Sequence, residues 1–284
     1  MSYPSLAALS LRTRNQLRPD APSGLYCLDT AERLEPCDSS IILVRKAIEA
    51  SQAHVQALDD FMSDPAFVAI TPNKLGGYEK NPDGTFVVPD ASTPSWKIAR
   101  DAKTGEPRAW KLPVLRRQAT FGPHYNFGQV NTVVEDRARW PALVRQCLEY
   151  AQQLAEQKGI ARELYNGVHT NLYDSGKANL APHKDAEPAI LAGLPIFSFT
   201  FLNGALEPRP FSIYHPANAQ NTKPEKVADI ILQNGDLLIM QGSMQRWFLH
   251  GVESTAAKRF ERARRLNLTV RALRPVEKRK LDET

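Results

Sequence analysis

The hydrophobic pattern of this chain changes period near Gly159. From Ile41 to about Met62, IILVRKAIEASQAHVQALDDFM places apolar residues at Leu43, Ala47, Ile48, Ala50, Val55, Leu58 and Met62. That spacing predicts an amphipathic helix. A second helix is predicted from Pro141 to about Lys158, with proline at its start and Gly159 just past its end. Beyond Gly159 the apolar residues fall in short runs rich in β-branched and aromatic side chains: GVHTNLYD, PIFSFTFLN, RPFSIYH, VADIIL, DLLIMQ, RWFLHGV and RRLNLTVRAL. These read as strands. Gln233-Asn234-Gly235-Asp236 lies between two of them, and Asn-Gly signals a hairpin. The expected fold is α+β: a two-sheet jelly roll covered on one face by the N-terminal helices.

The remaining segments suggest four parts. Residues 1–40 show prolines and little periodicity and read as irregular. Residues 41–110 form a helical and loop-rich extension, with Pro, Gly, Asp and Lys dominating 71–110. Residues 111–273 hold the strand-rich domain, and 274–284 a charged tail. An apolar fraction of 42% supplies a core. No apolar run nears the roughly 20 residues that span a bilayer, so no membrane association is expected. The charge of +5, from 36 basic and 31 acidic residues, fits a nucleic-acid partner without requiring one. Three cysteines with no CxxC spacing argue against a disulfide scaffold or a cysteine zinc site. A nuclear or cytoplasmic monomer is expected. A mitochondrial location is the alternative, because the first 19 residues contain Arg and Ser but no acid.

The chemistry centres on PHKDAE, residues 182–187. His183 and Asp185 form a His-x-Asp pair that is either half of a metal site or two polar loop residues. His250, near the end of a predicted strand, is a suitable third ligand; His54, His124, His169 and His215 remain as competitors. Two histidines and one carboxylate on one face of a metal leave the opposite face open, which suits non-haem Fe(II). Downstream, RLNLTVR alternates Arg265, Asn267, Thr269 and Arg271 on one strand face with Leu266, Leu268 and Val270 on the other. A polar face of that kind either meets solvent or, if buried, needs anions. A small dicarboxylate would satisfy it through bidentate guanidinium contacts.

Taken together, the chain resembles the AlkB family of Fe(II)- and 2-oxoglutarate-dependent dioxygenases. HKD at 183–185, His250, RLNLTVR at 265–271, NLY at 171–173 and RRQATFGPHYNFG at 116–128 carry the resemblance, over roughly residues 108–273. It implies a double-stranded β-helix with Fe(II), 2-oxoglutarate and O2 as cofactor and cosubstrates. By the same resemblance His183, Asp185 and His250 hold the iron, and Arg265 and Tyr173 receive the distal carboxylate of 2-oxoglutarate. Asn171 and Arg271 serve its other end, and Asn267 orders the site. The implied activity is oxidative demethylation of N-alkylated bases, of the 1-methyladenine and 3-methylcytosine type, in methylated DNA or RNA. Formaldehyde, succinate and CO2 are released. Phe127 is then the stacking platform, Tyr125 a nearby hydrogen-bonding group, and Glu187 the carboxylate facing the base. Arg108, Lys111, Arg116 and Arg117 are phosphate contacts, and Trp110 is a candidate wedge. The alternative is an oxygenase of the same cofactors acting on a protein or small molecule.

Overall fold

The structure, a computed structural model, describes residues 8–11, 15–17, 21–28, 39–64, 116–123, 132–203, 208–217, 222–256 and 264–274. Its elements in chain order are β1 (Ala8–Leu11), β2 (Asn15–Leu17), β3 (Gly24–Leu28), β4 (Ser40–Val44), α1 (Gln52–Met62), β5 (Arg116–Phe121) and β6 (Thr132–Val134). Then come α2 (Ala142–Gln157), β7 (Tyr165–Tyr173), β8 (Leu180–His183), β9 (Ile196–Asn203), β10 (Pro210–His215) and β11 (Glu225–Ile231). The chain closes with β12 (Asp236–Gln241), α3 (Met244–Trp247), β13 (Leu249–Val252) and β14 (Arg264–Ala272).

Two sheets face each other as the expected jelly roll. The larger has nine strands in the order β1-β3-β4-β12-β9-β14-β7-β5-β6, and the smaller has five, β2-β11-β10-β13-β8. The helices α1 and α2 cover the outer face of the larger sheet. Their buried Val55, Leu58, Met62, Leu143, Val144, Cys147 and Ala151 meet Phe197, Phe199, Phe201, Val168, Leu172, Leu266, Leu268 and Val270. Each such large side chain contributes about 1.5–3 kcal/mol by leaving water. A second apolar cluster, including Ile41, Leu43, Phe211, Ile213, Ile230, Leu238, Met240 and Phe248, fills part of the space between the sheets. Among the described residues no helix is long and apolar enough to cross a membrane.

Several expectations need correction. The helix predicted from Ile41 begins instead as strand β4, hydrogen-bonded between β3 and β12. Ile41, Ile42 and Leu43 are all buried, so this run is sandwiched on both faces, where helical periodicity has no meaning. The helix starts eleven residues later, at Gln52, where the hydroxyl of the preceding Ser51 accepts from the His54 N–H. Residues 1–40 are not uniformly irregular: β1 and β3 extend the larger sheet and β2 pairs with β11 in the smaller one. Strands from before residue 45 thus share sheets with strands from beyond residue 111. The Asn-Gly turn is not a hairpin, because β11 belongs to the smaller sheet and β12 to the larger. Gly235 has φ +81°, and a Cβ there would lie 2.2 Å from the Ile48 carbonyl oxygen. Buried Asp236 pins this corner by accepting from Gln233 N–H (2.7 Å), Lys46 N–H (3.0 Å) and Arg45 Nη1 (2.5 Å). Within RWFLHGV only Leu249–Val252 is strand; Met244–Trp247 is the helical turn α3. The loop-rich stretch 71–110 and the charged tail beyond Arg274 lie outside the described residues.

Candidate metal centre

Strand alternation builds the site. On β7 and β14, Val168, Leu172, Leu266, Leu268 and Val270 face the helices. The intervening His169, Asn171, Tyr173, Arg265, Asn267, Thr269 and Arg271 line a cavity between the sheets. The register sets Arg265 opposite Tyr173, Asn267 opposite Asn171 and Thr269 opposite His169. The solvent-facing alternative for RLNLTVR is therefore excluded: Arg265, Asn267, Thr269 and Arg271 are all buried.

His183 ends β8 and stands directly across from His250 on β13. Their ring centroids are 4.3 Å apart. Asp185 follows in the loop after β8, with its Oδ1 3.6 Å from His183 Nε2 and its Oδ2 4.0 Å from His250 Nε2. One donor atom from each of the three lies within 4.8 Å of the others. Phe211 stacks on His250 at 5.4 Å and shields it from water. His183 Nδ1 pairs with the Ala181 carbonyl oxygen at 3.0 Å, which orients its Nε2 toward Asp185. The Asp185 N–H donates to Gln245 Oε1 at 3.0 Å, so the loop around α3 fixes the carboxylate from below.

The charges are arranged for a cation. Burial alone would raise the Asp185 carboxyl, but Arg271, the His183 hydrogen bond and His250 outweigh it and hold it well below the usual carboxylate range. Arg271 grips it bidentately, Nη2 to Oδ1 at 2.6 Å and Nε to Oδ2 at 3.2 Å. Burial, and then His183, push His250 down to about 3, so its imidazole is neutral and a lone pair is open to a metal. His169 is likewise pushed well down, by burial first and then by Arg271 and Arg116.

The other end of the cavity is built for an anion. Arg265 is 3% exposed and donates through Nη2 to Thr200 Oγ1 at 3.2 Å. Its Nε and Nη1 are buried with no partner among the described residues. A guanidinium in that state is strongly disfavoured unless a ligand completes it. Asn267 has an ordering role, donating to Ser198 Oγ (2.8 Å) and the Phe199 carbonyl (2.9 Å) while accepting from Thr269. Gln118 holds the Asn171 side chain at 3.1 Å. The cavity's free interior is only about 20 Å3, room for about one water. The His/Asp/His donors fit Fe(II), and the orphaned Arg265 donors fit the distal carboxylate of 2-oxoglutarate.

Eight of the predicted residues thus converge: His183, Asp185, His250, Asn171, Tyr173, Arg265, Asn267 and Arg271. Arg116 sits beside Tyr173 in the strand register and reaches the Asn179 carbonyl at 3.4 Å. Arg117 points the other way. It donates to the Ser63 carbonyl after α1 and lies 3.5 Å from Asp174, so it tethers a helix rather than facing the cavity. Glu187 lines a neighbouring cavity together with Asp185, and its Oε2 is buried without a partner among the described residues. Tyr125, Phe127, Arg108, Trp110 and Lys111 lie outside the described residues. Sequence reasoning missed Gln118 and Gln245, which hold Asn171 and the Asp185 backbone. It placed His169 only among possible ligands, although its position two residues before Asn171 on the same strand face was the available signal.

The family comparison agrees with this geometry. The family model described as "2OG-Fe(II) oxygenase superfamily" matches residues 91–271. A solved structure described as "The structure of OsALKBH1" is similar over 81% of this chain and 96% of that one, with 17% sequence identity and a TM-score of 0.43. No curated protein sequence matches. The family match covers more than half of the chain and contains every residue that converges on the cavity. With Fe(II), 2-oxoglutarate and O2 as the cofactor set to which those residues are suited, the chain belongs to the 2OG-Fe(II) oxygenase superfamily.

Proposed function

We propose that this oxygenase removes N-methyl groups from bases of the 1-methyladenine and 3-methylcytosine type in DNA or RNA. Fe(II) held by His183, Asp185 and His250 supplies, with 2-oxoglutarate and O2, the oxidising power that turns the methyl group into formaldehyde. Everything else falls to the chain's own side chains. Arg265 and Tyr173 take the distal carboxylate, Asn171 and Arg271 the end near the metal, and Asn267 keeps the strand face in register. Arg271, which grips Asp185 through both oxygens, would share that carboxylate with the metal.

The observation that carries the substrate assignment is Glu187. Its Oε2 is buried without a partner among the described residues, in a cavity that Asp185 also lines. A buried carboxylate oxygen of that kind favours a cationic or donor-bearing ligand. A methylated base that carries positive charge near neutral pH meets the need. Ile190, Leu191, Leu194, Met240 and Met244 give the cavity apolar surface that suits a flat ring, beside polar Gln241, Ser243, Gln245 and Arg246. His183, whose side chain is 20% exposed, is the most accessible of the three metal-site residues. A base in a duplex reaches such a site only when flipped out. Tyr125 and Phe127 remain the proposed platform by their resemblance to the family's nucleotide-recognition segment.

The test is formaldehyde release from oligonucleotides carrying 1-methyladenine or 3-methylcytosine, single- and double-stranded, DNA and RNA, with Fe(II) and 2-oxoglutarate. Release from at least one, abolished in Asp185→Ala and reduced in Glu187→Gln, is the expected result. If none is demethylated while 2-oxoglutarate is still turned over, the substrate is a protein or small molecule instead.

A further inference from the structure

Arg209, the residue just before β10 and the first of the predicted strand RPFSIYH, is 3% exposed. Its Nη1 donates to three backbone carbonyls, Gly176 at 2.8 Å, Ala178 at 2.7 Å and Glu253 at 3.2 Å. Its Nη2 is buried with no partner among the described residues. The Arg209 Cζ lies 5.4 Å from the centroid of the Tyr173 ring, and the Arg265 Cζ lies 5.5 Å from the same centroid. Two buried guanidinium groups thus share one aromatic ring. Among the described residues neither is paired with a carboxylate. Glu253, whose backbone helps hold Arg209, turns its own carboxylate to Lys226 at 2.8 Å and Tyr214 at 2.7 Å.

Like charges this close and this dry repel each other. Burial, and then Arg265, lower Arg209 to about 10, which still leaves it cationic at neutral pH. The carbonyls and the ring face stabilise Arg209. Among the described residues Arg265 donates only to the Thr200 hydroxyl oxygen and lies against the same ring. The excess positive charge therefore has one natural complement: an anion bound at the free donors of Arg265.

We propose that Arg209 is the second cation of the distal-carboxylate end, a positioning residue that fixes the Tyr173 ring and adds its charge to that of Arg265. Together they make the pocket select a 2-oxo acid with a distal carboxylate over one with an uncharged tail. This rests on the reading that Arg265 receives that carboxylate. The two Cζ atoms are at most about 11 Å apart, since both flank one ring. At an effective dielectric of about 20, a unit charge at that range changes affinity by about tenfold.

The experiment is calorimetric titration of the full chain, loaded with Mn(II), by 2-oxoglutarate and by 2-oxopentanoate, which has the same carbon chain without the distal carboxylate. Arg209→Met is expected to weaken 2-oxoglutarate about tenfold and leave 2-oxopentanoate within about twofold. Arg209→Lys, which keeps the charge, is expected to recover most of the discrimination. If both ligands weaken together, Arg209 is a structural pin and the proposal falls; unchanged affinities overturn it equally. Should Arg209→Met not fold, the ratio of the two affinities in Arg209→Lys decides: retained discrimination supports the charge role, and lost discrimination refutes it. A wild-type protein that does not prefer 2-oxoglutarate to 2-oxopentanoate would instead remove Arg265 from its assigned role.

Discussion

Replacing Arg265 by Met separates function from stability at one position. Two of its donors, Nε and Nη1, are buried and unpartnered among the described residues, and its one hydrogen bond, to Thr200, is long at 3.2 Å. Each unsatisfied buried donor costs about 1–3 kcal/mol, while a neutral hydrogen bond returns about 1 kcal/mol. Met fills much of the same volume without a charge. The ligand-free variant should therefore be as stable as the wild type or up to about 2 kcal/mol more stable. Ligand binding should move the opposite way. Two charge-assisted bonds of about 1.5–3 kcal/mol each disappear, which weakens 2-oxoglutarate by about 10²–10⁴-fold. Urea denaturation of the Mn(II)-loaded protein reads both effects. At a ligand concentration of about 100 Kd the wild type gains about 2.7 kcal/mol and the variant almost nothing. The order of stability should thus invert when 2-oxoglutarate is added. A variant that is less stable by more than about 2 kcal/mol without ligand, yet shows the wild-type gain with it, would refute the reasoning.

Two further outcomes follow from single contacts. His169 is neutral in the folded metal-free protein because burial, Arg271 and Arg116 push it well below its ordinary value, whereas the unfolded chain takes up a proton near pH 6.5. Its contribution is complete above pH 6.5 and is lost as pH falls, by about 1.4 kcal/mol per unit, so His169→Gln should flatten the urea-stability profile between pH 6.5 and 5. A profile as steep as the wild type's would assign the slope elsewhere. Gly251 is in β13, facing β8, where a Cβ would come within 2.6 Å of the Leu180 carbonyl oxygen. Gly251→Ala should therefore force apart the pairing that sets His250 against His183, costing about 1–3 kcal/mol in stability and weakening Mn(II) binding measured by calorimetric titration of the metal-free protein. Unchanged metal affinity would show that the two histidines do not depend on this close approach.

The sequence made the site more legible than its frame. Alternation along RLNLTVR separated the two faces of β14 correctly, because a strand's period of two survives whatever packs on it. Whether the polar face met water or a cavity was not readable, since that depends on the smaller sheet, whose Leu180, Phe211 and His250 lie across from it. The run IILV misled for the opposite reason: buried on both faces, β4 carries no amphipathic period. The Asn-Gly signal identified a tight turn and φ > 0 at Gly235, but not that the flanking strands part into different sheets. Arg209 had no signal at all. Its partners are three carbonyls and a ring from distant segments, and carbonyl groups leave no mark in a sequence.

The position of β4 has a practical consequence. The family match begins at residue 91, yet β12 finds its neighbour on one side in Ser40–Val44. A chain shortened to the matching region would turn β12 into an open edge, its ladder groups unpaired and Leu238 and Met240 without the Leu43 and Ile41 backbones beside them. Such an edge is a template for pairing with another molecule. Expression of the matching region alone should yield aggregates, and the catalytic unit should begin before Ser40.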